Sequence, residues 1–69
     1  MKIEEFIKEL KPMCKYDKEE DRHYMGSTIL TNQELNHMLH IMIGDDFDSL
    51  SSNKRTKIRQ RVFKEITDG

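Results

Sequence analysis

The sequence predicts an all-α fold. The expected form is a small single-domain bundle of about four short helices, near residues 2–11, 18–25, 32–43 and 52–67, with little or no sheet. Three observations carry that expectation. Apolar residues recur at helical spacing in the first, third and last segments. Helix-start and helix-stop residues bracket the segments. No run of useful length alternates with the period of two that a half-buried strand needs.

In the first segment, Ile3, Phe6, Ile7 and Leu10 stand at i, i+3, i+4 and i+7, one face of a helix. Lys2, Glu4, Glu5, Lys8, Glu9 and Lys11 fill the other face, with Glu4 and Lys8 at i,i+4 spacing. Pro12 biases Lys11 away from helical angles, so the helix should end there. In the second, Asp17 followed by Glu20 reads as an N-terminal cap and Gly26 as a C-terminal stop. A helix over 18–25 would turn Tyr24 and Met25 inward. The stretch 27–30 then reads as a brief extended connector.

Thr31-Asn32-Gln33-Glu34 is a capping box, opening a helix that Gly44 should close. Its apolar side chains Leu35, Met38, Leu39, Met42 and Ile43 span about 140°, and Ile41 widens that to about 200°. So wide a face predicts a central helix touched by several others, with Met38 and Met42 filling core. Gln33, Asn36, His37 and His40 remain outward. Residues 45–50 read as a loop or single helical turn anchored by Phe47 and Leu50, after which Ser51 or Ser52 caps the last helix.

Sixty-nine residues make one domain at most, residues 1–69 here, with a thin core. So small a chain has little room for a deep pocket as well, which argues against an enzyme. The net charge of −1 gives no global field toward nucleic acid or membranes. No apolar run approaches the ~20 residues of a membrane span. Cys14 is the only cysteine, so no internal disulfide can form, and the opening residues do not resemble a signal peptide. A cytoplasmic protein is expected.

Charge is unevenly placed. Asp17, Glu19, Glu20 and Asp21 form one acidic cluster, and Asp45, Asp46 and Asp48 another. Six cations and no acid lie between Asn53 and Glu65. On a helical wheel with Ile58 at 0°, Val62, Ile66 and Phe63 fall near 40°, 80° and 140° and make a core face. Lys54, Lys57, Arg61 and Lys64 form one outward stripe. Arg55 and Arg59 fall inside the apolar arc, so they must snorkel, pair with an acid, or mark a binding face. Cations in a first helical turn are unfavourable unless something negative joins them. With Ser51 and Ser52 they compose an anion site, which Asp45, Asp46 or Asp48 could fill internally.

No metal or cofactor is expected. His37 and His40 stand one turn apart, but a structural zinc site wants four ligands, and residues 45–57 lack the closing Glu of a calcium loop. No catalytic residue is expected either. Cys14 would need a base placed in space, and a packing role suits it better.

The function expected is a non-catalytic binding protein, a protein–protein inhibitor or adaptor. It would act by occlusion, through the basic stripe or through acidic segments that mimic a nucleic-acid backbone. Phages and mobile elements encode many such proteins, so that origin is the base-rate expectation. The alternative is a small DNA-binding regulator using helix 52–67, although the link from Gly44 to Leu50 exceeds a helix-turn-helix turn. A third reading is a homodimer pairing the basic helix of one copy with an acidic segment of the other.

Overall fold

The computed structural model describes all 69 residues. Helix α1 spans Ile3–Leu10 and a 3-10 turn follows over Lys11–Met13. Three short strands come next: β1 Cys14–Asp17, β2 Arg22–Met25 and β3 Thr28–Ile29. Helix α2 spans Asn32–Ile43, the single turn α3 spans Asp45–Asp48, and α4 spans Ser52–Asp68. The strands form one antiparallel sheet in the order β1-β2-β3.

The fold is therefore mixed rather than all-α. Helix makes up 64% of the chain and sheet 14%. The expected helix over 18–25 is instead a turn and the strand β2. The capping signal that suggested it has a local basis. Asp17 Oδ1 accepts from the backbone N–H of Glu19 and Glu20, at 3.0 and 3.1 Å, as an N-cap would. The turn does not propagate, because Asp21 takes a left-handed φ of 54° and sends the chain back as β2. Gly26, read as a helix stop, instead has φ 63° in the two-residue link between Met25 and Thr28. Hairpin links of that length favour residues that accept positive φ.

Register explains which strand residues face inward. Cys14 pairs with Met25 and Tyr16 with His23. Cys14, Tyr16 and Met25 pack on the core. Lys15, Tyr24, Asp17 and Arg22 take the alternate positions. Tyr24 was expected inward; its hydroxyl instead donates to Glu20 Oε2 at 3.1 Å. His23 ties the sheet to α4. Its ring lies 4.9 Å from Tyr16 and 4.7 Å from Phe63, centroid to centroid, and its Nε2 is 2.8 Å from Thr67 Oγ1. The Thr67 hydroxyl donates to the Phe63 carbonyl, which leaves its oxygen to accept from a His23 Nε2–H.

The helices lie close to their expected bounds. Phe6, Ile7 and Leu10 of α1 are buried. Lys11 keeps helical angles, so Pro12 does not push it extended; the helix tightens into the 3-10 turn and straightens at Cys14. Thr31 Oγ1 accepts from Glu34 N to cap α2, and Ser51 Oγ accepts from Lys54 N to cap α4. Gly44, at φ 72°, separates α2 from α3. Ten apolar residues form one buried cluster, drawn from all four helices and Leu30, with Leu35, Leu39, Phe47 and Val62 at its centre.

Candidate functional site

The apolar face of α2 is wider than the core can cover. Ile41 remains 61% exposed and Met42 44%, so the excess width is surface rather than core. Met42 was expected to fill core; only Met38 of that pair packs on it. The chain has five exposed large hydrophobic side chains, and four of them, Met1, Met13, Ile41 and Met42, line one cleft. Phe6 and Leu10 of α1 and Met38 of α2 complete its walls. The cleft measures about 170 Å³, and although Glu9 borders it, its lining is almost wholly apolar. Methionine is flexible and polarisable, so such a surface adapts to the shape of an apolar partner.

A second, chemically opposite groove lies where the N-terminal ends of α2 and α4 meet. Its six lining residues are all polar or charged: Asn32, Gln33, Asn36, Ser52, Arg55 and Arg59. Both arginines are half-buried. Arg59 is fixed by neutral acceptors, donating to Asn36 Oδ1 at 2.7 Å and Thr56 Oγ1 at 3.1 Å. Neither arginine forms an ion pair with Asp45, Asp46 or Asp48. Asp48 is engaged elsewhere, 2.6 Å from His40 Nδ1, and Asp45 and Asp46 stay exposed without an ion pair. The cationic start of α4 is thus not neutralised from within the chain.

The outward stripe of α4 is uneven. Arg61 makes a bidentate pair with Glu4 of α1, at 2.7 and 2.8 Å, and a further bond to Glu65 at 3.2 Å. Glu4 holds the guanidinium pKa up and is itself held below the usual carboxylate range by it. Lys54, Lys57 and Lys64 are exposed and make no ion pair. Ser51 is consumed as the α4 cap, whereas Ser52 lines the polar groove. The 17–21 cluster largely closes its own hairpin. Asp17 caps the turn, Glu20 accepts from Tyr24, and Asp21 accepts from the Tyr16 hydroxyl at 2.6 Å. Glu19 lends only its backbone N–H to that turn.

The two grooves are joined along α2. Met38 of the apolar cleft also borders a wide depression that includes His37 and Glu34. Gln33 and Asn36 of that depression line the arginine groove. Sequence reasoning selected the arginines but missed the cleft. The available signal was the excess apolar arc of Ile41, combined with Met13 beyond the first helix.

No three of His, Cys, Asp and Glu come together as a group that could hold a metal ion. Cys14 packs on the core, and burial pushes its thiol pKa up, away from the thiolate form. No helix is long and apolar enough to cross a membrane. Comparison with known proteins finds no matching family, no similar curated protein and no similar solved structure.

Proposed function

We propose that the chain is a non-catalytic binding protein, an inhibitor or adaptor that acts by covering part of a protein partner. The observation that carries this reading is the concentration of four of the five exposed large hydrophobics in one cleft. A contiguous exposed apolar patch on a small protein is costly in water and marks a surface that another molecule covers. Apolar anchors of this kind dominate protein–protein binding energy, while surrounding polar contacts set register. The unpaired cations of α4 lie outside that cleft and offer a separate, charged contact.

The test is position-specific photocrosslinking in the native cell. A photoreactive residue at Met42 should give one discrete adduct, and the same residue at Lys18 none. Ile41→Glu should remove that adduct and weaken binding at least tenfold. Because Ile41 is mostly exposed, the variant should keep its stability within about 0.5 kcal/mol. Equal adducts from both positions, or an adduct that survives Ile41→Glu, would discard the reading.

A DNA-binding regulator is the second reading, favoured by the acid-free Arg55 and Arg59 groove. Absence of duplex binding at low salt removes it, because phosphate contacts are strongest there.

A further inference from the structure

We propose that the partner element is a single segment carrying apolar side chains at one end and carboxylates at the other. It wraps around the outer face of α2, with its apolar end in the methionine cleft and its acidic end on Arg55 and Arg59. This deepens the protein-binding reading and rests on it.

Continuity comes first. The cleft, the depression and the arginine groove share Met38, Gln33 and Asn36, so one ligand can lie across all three. Within α2 the groove takes Asn32, Gln33 and Asn36 and the cleft takes Met38, Ile41 and Met42; by helical angle these two sets lie on opposite sides of the helix, with the depression between them. The segment therefore passes around the outer face of α2 through the depression, in extended form at about 3.3 Å per residue.

Charge then sets the polarity. Arg55 and Arg59 share their groove only with neutral side chains. Arg59 is held in place by Asn36 and Thr56, which fix its direction without cancelling its charge. Two of its five N–H groups are used, leaving others free for a carboxylate. The opposite end has an almost wholly apolar lining, which offers a carboxylate no partner and so disfavours the reversed orientation. Glu34 lies between, where a lysine on the segment would complement it.

The probe is a displayed library of random 16-residue peptides selected on the immobilised chain. Selected peptides should combine an apolar cluster with Asp or Glu displaced to one side. Ile41→Glu should cost them at least tenfold in affinity. Arg55→Gln, which removes no hydrogen bond within the chain, should cost about fivefold, and Arg55→Gln with Arg59→Gln about thirtyfold. Arg55→Glu with Arg59→Glu should shift the selected end from acids to lysines. Circular dichroism verifies that each variant keeps its helix content. Peptides that need Ile41 but ignore both arginines would overturn this inference and leave the protein-binding reading standing. Absence of any peptide that depends on Ile41 would overturn both. Duplex DNA bound at low salt and lost with the double Gln variant, while peptides still bind it, would assign the groove to phosphate and overturn the inference as well.

Discussion

Glu4 and Arg61 show how one pair changes the meaning of a residue. By spacing, Arg61 belongs to an outward cationic stripe and Glu4 to a local pair with Lys8. In the folded chain they find each other across 57 positions, with a fork-to-fork geometry that an Arg–carboxylate pair favours. Because Glu4 is held below its ordinary pKa, its contribution is present above the ordinary carboxylate range and is lost as pH falls through the folded value. Urea unfolding at pH 7 and pH 3 should show a wild-type midpoint that drops more than that of Glu4→Gln. Both groups are exposed, so the effect should be small and should shrink with added salt. Equal pH dependence in both proteins would show that the pair does not matter.

Among the elements, the hairpin is where local signals mislead. Asp17 and Glu20 carry N-cap chemistry, and Gly26 carries stop chemistry, yet the residues between them form a strand. Strands of two to four residues leave almost no alternation to read. What holds the hairpin is remote. His23 packs between Tyr16 and Phe63 and bonds Thr67, 44 positions away. Removing that bond and two ring contacts with His23→Ala should cost about 2 kcal/mol by urea titration. His23→Phe keeps the ring contacts and loses only the bond, so it should cost less. A cost from His23→Ala no larger than from a surface substitution would show that α4 does not anchor the sheet. Gly44 plays a simpler part: with φ at 72°, it lets α2 stop and Phe47 enter the core one turn later.

Across the whole molecule, the limiting quantity is core. Ten buried side chains hold four helices and a sheet together, and a domain of this size typically nets about 3–5 kcal/mol. Phe47 is 1% exposed and belongs to a helix of only four residues. Phe47→Ala should cost about 3–5 kcal/mol, enough to unfold most of the population at 25 °C. Circular dichroism and one-dimensional NMR would show the loss. A variant that retains its native spectrum would mean the core is larger in energy than its size implies. The same shortage accounts for the cleft. Core-facing positions of α1 are used on its buried side, and no element remains to cover Ile41, Met42 and Met13.

The sequence by itself determined α1, α2 and α4, because periodic apolar faces and caps such as Thr31 and Ser51 act within a few residues. It also singled out Arg55 and Arg59, because their wheel angle conflicts with an apolar face. It could not separate a capped helix from a capped turn at Asp17, since both use the same hydrogen bonds over the first three residues. Nor could it say which apolar residues of α2 would be buried. Periodicity reports which face a side chain occupies, while burial depends on whether another element arrives there. Only tertiary structure decided that α4 would fix His23, that Glu4 would take Arg61, and that nothing within the chain would neutralise Arg55 and Arg59 or cover the methionines.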